Sequence, residues 1–200
     1  MARRLRSARL DSRIEELKTA AMFAAGRSFL PPPAAKRAHL RRLLDERGHT
    51  VFVEAGTYLG DTVAYMAKHA GQVISVELHD ELWARAAERF AGDPAIDIRH
   101  GDASDVVPAV VAELTAPPLI WLDGHYSGEG TALGREDEPA AAILRSLGEV
   151  APAGTTIVID DLRLFGTPQY ARLDDLIRSA AAAFPQARVR TWLDSLVIEA

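Results

Sequence analysis

Val51-Phe52-Val53-Glu54-Ala55-Gly56-Thr57-Tyr58-Leu59-Gly60-Asp61-Thr62 reads as a strand that enters a glycine turn and leaves it as a helix. Valine and phenylalanine favour a pleated strand, and two glycines four residues apart punctuate it. Four further apolar runs repeat the design, each reaching an acidic residue: Val73-Ile74-Ser75-Val76-Glu77, Ile96 to Ile98 leading to Asp102, Leu119-Ile120-Trp121-Leu122-Asp123, and Ile157-Val158-Ile159-Asp160-Asp161. Helical patterns over 62–69, 80–90, 104–114, 139–147 and 171–184 separate them. Strands joined through helices run parallel, so the five acidic ends fall on one edge, where open α/β sheets bind ligands.

Outward from this core, the chain begins with two helical patterns. Leu10, Ile14, Leu17 and Ala21 form one, and Leu40, Leu43 and Leu44 form the other, after the Pro31-Pro32-Pro33 break. At the far end, residues 189–193 and 196–198 flank Asp194-Ser195 and predict a hairpin, which adds one antiparallel strand to the sheet. The organisation expected is an N-terminal helical segment over 1–49 and an α/β domain over 50–200.

Composition limits the chemistry. A chain of 200 residues is enough for one domain with a sizeable core. The chain has no cysteine, which excludes disulfides, thiolate metal sites and cysteine nucleophiles. No apolar run approaches the ~18 residues of a membrane helix, and the Arg-rich start has no signal-peptide pattern, so the expected location is the cytoplasm, with no membrane partner. The net charge of −5 is uneven: residues 1–50 hold twelve Lys/Arg against five Asp/Glu. That basic stretch suits the acidic face of its own domain, a second subunit of a homo-oligomer, or nucleic acid. Nucleic acid is disfavoured because the stretch lacks the aromatics that stack on bases.

Glu-x-Gly-x-x-x-Gly after the first strand, five strand ends and a terminal hairpin together resemble the class I S-adenosylmethionine-dependent methyltransferases over about residues 50–200. The resemblance implies a doubly wound, mostly parallel Rossmann-like sheet of seven strands in the order 3-2-1-4-5-7-6. It also implies that Glu54, Gly56, Thr57, Tyr58, Gly60 and Thr62 cradle the methionine end of adenosylmethionine. Glu77 then takes the ribose hydroxyls, and Asp102 with the Ala103 amide takes the adenine, with Asp123 close by. Glycines at 56 and 60 let the backbone approach a cofactor with no Cβ between them. Glu77 lies 21 residues beyond Gly56, at the end of the second strand, where an acid can accept both ribose hydroxyls. Taken singly, the glycines also fit plain turns, and Glu77 or Asp102 also fit N-caps. A nicotinamide enzyme is the nearest competitor, but Glu54 stands at the first glycine of its fingerprint and would repel a pyrophosphate.

Trp121-Leu122-Asp123-Gly124-His125-Tyr126-Ser127-Gly128, with Asp137-Glu138-Pro139 and Ile159-Asp160-Asp161, resembles bacterial W-L-D-x-H-Y-S-G proteins and the macrocin-type metal-dependent O-methyltransferases. That resemblance implies Mg²⁺ or Mn²⁺ held by Asp123, Asp160 and Asp161, and His125 as the base that deprotonates a hydroxyl. An all-oxygen set suits these hard cations. The open alternatives are that Asp160 and Asp161 cap the next helix, and that His125 is a hydrogen-bonding loop residue. His39, His49, His69, His79 and His100 are expected at the surface. The resulting expectation is methyl transfer to a hydroxyl of a small molecule. A nucleic-acid methyltransferase and a non-catalytic adenosylmethionine-binding module remain as alternatives.

Overall fold

Strand and helix alternate from residue 33 to the end of the chain in a computed structural model, which describes residues 14, 16–123, 140–167 and 170–200. A helix over 16–24 (α1) is followed by α2 (Pro33–Arg47), β1 (Val51–Ala55), α3 (Asp61–Met66), β2 (Gln72–Glu77), α4 (Asp80–Phe90), β3 (Ile96–His100), α5 (Ala103–Ala112) and β4 (Leu119–Leu122). Then come α6 (Ala140–Val150), β5 (Thr156–Ile159), a 3₁₀ turn (Leu162–Leu164), α7 (Leu173–Ala183), β6 (Arg188–Trp192) and β7 (Ser195–Glu199). The seven strands form one sheet in the order β3-β2-β1-β4-β5-β7-β6, as the resemblance implied. β1 to β5 pair in parallel, and β7 alone runs antiparallel, between β5 and β6.

Alternation along each strand builds two cores, one on each face. Val53, Ile74, Ile120, Ile157 and Ile198 meet α5, α6 and α7 through Val107, Val111, Leu144, Leu147 and Leu176. The alternate positions Phe52, Val73, Leu119, Trp121, Val158 and Val197 meet α2, α3 and α4 through Leu40, Leu43, Leu44, Val63, Met66 and Phe90. Central strands covered on both faces read as continuous apolar runs, which is why the sequence marks them so clearly. The leucines of α2 thus complete a core of the domain, each burial contributing about 1.5–3 kcal/mol.

Two boundaries differ from expectation. α3 stops at Met66 because Lys68 and His69 turn their amides to Tyr65 and Met66, three residues back, in a tighter closing turn. The hairpin turn is Leu193-Asp194, since Trp192 pairs with Ser195 and Leu193 adopts φ 49°. Hydrogen bonds hold that register: the Asp194 carbonyl accepts from the Leu162 amide and its carboxylate from the Arg163 amide, and the Ser195 hydroxyl, in β7, donates to Asp160.

Candidate functional site

Parity fixes which side chains gather at the carboxyl edge. Glu54, Asp123 and Asp160 continue the alternation of Phe52, Trp121 and Val158, so all three belong to the face covered by α2. Ser75 lies opposite Glu54 on the same face, and its hydroxyl donates to Glu54 Oε2 at 2.7 Å. Thr57 Oγ1 stands 2.6 Å from the same Ser75 hydroxyl, so the first glycine loop is tied to β2 through a buried polar chain. Burial pushes the Glu54 carboxyl up to about 8, with Glu77 adding to the rise and the Ser75 bond opposing it. A cation arriving beside Glu54 therefore finds a proton to displace.

Glu77 organises the loop that leaves β1. Its Oε2 accepts the Tyr58 amide at 2.8 Å and its Oε1 the His79 amide at 2.9 Å. Each carboxylate oxygen retains a lone pair, so acceptor capacity remains for a diol. Tyr58 is held at φ 48°, a left-handed conformation that the Glu77 bond helps to offset. Gly60 caps α3 at φ 73°, and a Cβ there would come within 2.8 Å of the Phe90 ring. Thr62 occupies the first turn of α3. Asp102 realises the cap alternative, accepting the Ser104 amide at 2.9 Å, with Ala103 as the first residue of α5.

The acidic ends of β4 and β5 meet a partner that sequence reasoning missed. Lys36, four residues before Leu40 on the buried stripe of α2, donates its ammonium to Asp160 Oδ2 and, at 3.2 Å, to Asp161 Oδ1. Arg163 bonds Asp161 Oδ1 at 2.6 Å and also Asp194 Oδ2, while Ser195 Oγ donates to Asp160 Oδ1 at 3.0 Å. Burial opposes the charge on Lys36, but Asp160, Asp161 and Asp123 outweigh it and carry the group up to about 12. The carboxyls of Asp123 and Asp160 are raised, first by burial; for Asp123 the neighbouring Asp160 adds to the rise. Asp161, at φ 55°, opens the 3₁₀ turn without a side-chain cap bond. The only sequence signal for Lys36 was its place on the stripe with Leu40, Leu43 and Leu44.

Asp123, Asp160 and Asp161 do not form a metal-holding group; among the described residues no three His, Cys, Asp or Glu stand where they could hold an ion. The Lys36 ammonium bridges Asp160 and Asp161, so this donor set does not fit Mg²⁺ or Mn²⁺. His125 lies outside the described residues, as do Asp137, Glu138 and Pro139. Of the other histidines, His69 and His100 are exposed, but His39 and His49 are buried, contrary to expectation. His39 stacks on Trp192 with ring centroids 3.8 Å apart, and burial pushes it down to about 4. His49 bridges the Pro117 carbonyl and Thr156 Oγ1, both at 2.9 Å. His39 sits on the inner side of α2 and His49 in the link between α2 and β1, and both are buried there.

No protein-family model matches the chain. The ribosomal RNA small subunit methyltransferase A of Geobacter sulfurreducens is 31% identical over 83 residues, which cover 42% of this chain and 30% of that protein. Among solved structures, the adenosylhomocysteine-bound Podospora anserina methyltransferase PaMTH1 superposes with a TM-score of 0.61 at 13% identity, covering 94% of this chain and 87% of that one. DesVI of Streptomyces venezuelae gives 0.59 at 13% identity over 92% and 97% of the two chains. The adenosylhomocysteine-bound O-methyltransferase of Bacillus cereus gives 0.56 at 15% over 95% and 91%. At these identities the likeness is one of fold.

Proposed function

We propose that this chain is an S-adenosylmethionine-dependent methyltransferase acting on a hydroxyl oxygen of a small molecule. The observation that carries the reading is the acidic series on consecutive strands: Glu54 with Ser75 and Thr57, Glu77 holding the Tyr58 amide, and Asp102 at the head of α5. The fold shared with adenosylhomocysteine-bound methyltransferases supports it.

Bound adenosylmethionine supplies a methyl already activated on a sulfonium sulfur. Glu54, Gly56, Thr57, Tyr58, Gly60 and Thr62 receive its methionine end, Glu77 its ribose, and Asp102 with the Ala103 amide its adenine. Asp123, beside Glu54 on the same edge, lines the passage from cofactor to acceptor. His125 would take the proton of an acceptor hydroxyl, whose oxygen would receive the methyl as it leaves the sulfonium sulfur. An imidazole of ordinary pKa near 6.5 can do so at neutral pH. The chain's own residues position, deprotonate and exclude water.

The ribosomal RNA methyltransferase relative favours a second reading, an RNA acceptor gripped by the basic first fifty residues. That match covers less than half of this chain, and part of the positive charge is already engaged: Lys36 with Asp160, and Arg37 with Glu16 at 3.4 Å. Leu17 and Phe29, 72% and 93% exposed, instead offer apolar area that a second copy of the chain would cover.

Calorimetric titration with adenosylhomocysteine tests the reading. Glu77→Ala should weaken binding on the order of 100-fold, the magnitude for two bonds to a charged acceptor, with a share coming from release of the Tyr58 amide. His125→Ala should keep cofactor affinity while lowering turnover roughly 10²–10⁴-fold once an acceptor is found. Unchanged affinity in Glu77→Ala, or tighter binding of NAD than of adenosylhomocysteine, would sink the cofactor assignment.

A further inference from the structure

The end of β5 presents two consecutive buried aspartates, Asp160 and Asp161, with Asp123 next to them at the end of β4. Carboxylates packed this closely repel one another unless protons or a cation compensate them. The chain supplies compensation from two distant segments. Lys36 reaches both aspartates from the first turn of α2, 124 and 125 residues away, and Arg163 ties Asp161 to Asp194 of the hairpin turn.

The helix that carries Lys36 is not free to withdraw it. Leu40, Leu43 and Leu44 follow at four, seven and eight residues, one face of the helix, and all three are at most 2% exposed. Packing of the leucines thus brings the ammonium to the carboxyl edge, and its side chain is 18% exposed there. A magnesium ion ligated at about 2.1 Å by the same oxygens would lie against the Nζ atom, so the two cations exclude each other. Of the three ammonium protons, the third has no acceptor among the described residues.

We propose that Lys36 is the resident cation of this site in place of a divalent metal, so that a hydroxyl acceptor entering at the ends of β4 and β5 meets an ammonium there. The first half of this proposal rests on the ion pairs alone; the second half rests on the methyltransferase reading above. A fixed ammonium provides positive charge opposite a developing alkoxide without metal uptake, and it makes the edge insensitive to chelators.

The test is a manganese titration of the full chain, read by electron paramagnetic resonance and by thermal melting. Wild-type protein should bind no Mn²⁺ up to millimolar concentration, and its melting temperature should be the same in Mn²⁺ and in EDTA. Lys36→Ala should gain a Mn²⁺ site and melt roughly 5–10 °C higher at a hundredfold excess of metal over its dissociation constant. The gain should vanish in the double variant Lys36→Ala/Asp160→Asn, and Lys36→Arg should stay metal-free. Should Lys36→Ala fail to fold, Lys36→Gln is one atom shorter, removes the charge and keeps an amide donor group, and serves in its place. One equivalent of tightly bound Mn²⁺ in the wild type, or no gain in folded Lys36→Ala or Lys36→Gln, would overturn the proposal. Adenosylhomocysteine titrated into the same samples separates the outcomes. Wild-type protein that binds Mn²⁺ and keeps cofactor binding strikes the lysine proposal, whereas metal-free wild-type protein that binds no cofactor strikes the methyltransferase reading.

Discussion

Glu54 shows how one residue couples folding, proton and ligand. Its carboxyl is 2% exposed, and its pKa near 8 against an ordinary 4.5 means the folded state favours the protonated form. Between those values the folded chain binds more protons than the unfolded one, so stability falls as pH rises through that window. An ammonium group placed beside Glu54 reverses the preference and expels the proton. Binding of adenosylhomocysteine at pH 7 should therefore release up to about one proton, and affinity should rise from pH 6 to pH 8. Calorimetry in two buffers of different ionisation enthalpy measures the release directly. Glu54→Gln should abolish the buffer dependence; its persistence would place the proton elsewhere.

At the scale of elements, α2 is joined to the sheet by more than leucines. His39 precedes Leu40 and stacks on Trp192 of β6, with burial, Arg42 and Arg190 all disfavouring its charged form. Its pKa near 4 lies below the ordinary 6.5, so the unfolded chain takes the proton first as pH falls. The neutral ring's contribution is complete above about pH 6.5 and is lost progressively down to about pH 4, amounting to at most about 3 kcal/mol. Urea denaturation at pH 7 and pH 4.5 should show a smaller acid loss in His39→Phe, which keeps a ring against Trp192 and removes the titration. An equal loss in both proteins would assign the acid sensitivity to the carboxylates alone.

For the whole molecule, the helix before β1 supplies both core and charge. Leu40, Leu43 and Leu44 complete the apolar layer over Phe52, Leu119 and Val158, and Lys36 compensates the buried Asp160. Removing one partner of a buried ion pair costs about 3–5 kcal/mol, and each lost leucine contact adds about 2–5, against a typical domain stability of 5–15. A chain beginning at residue 50 should therefore show no cooperative unfolding transition by circular dichroism, although it contains every strand. Cooperative melting of such a chain would mean that the sheet and its remaining helices suffice.

The strands, their parallel direction and the acidic edge were legible because they are local or periodic. Apolar runs such as 119–122 announce burial on both faces, glycines at 56 and 60 announce the turn, and alternating strand and helix leaves few topologies. Glu54, Glu77 and Asp102 could be placed because each lies at or just past the end of its own strand. What stands opposite the acidic edge could not be read in this way. Lys36 and Asp160 are 124 residues apart, and nothing near either one names the other. The same holds for His39, whose ring lies beside Trp192 only after α2 and the hairpin have docked. Charge compensation and core filling depend on distance through space, which the tertiary structure alone sets; strand order and the edge for ligands depend on hydrogen-bonding pattern and side-chain period, which the sequence carries by itself.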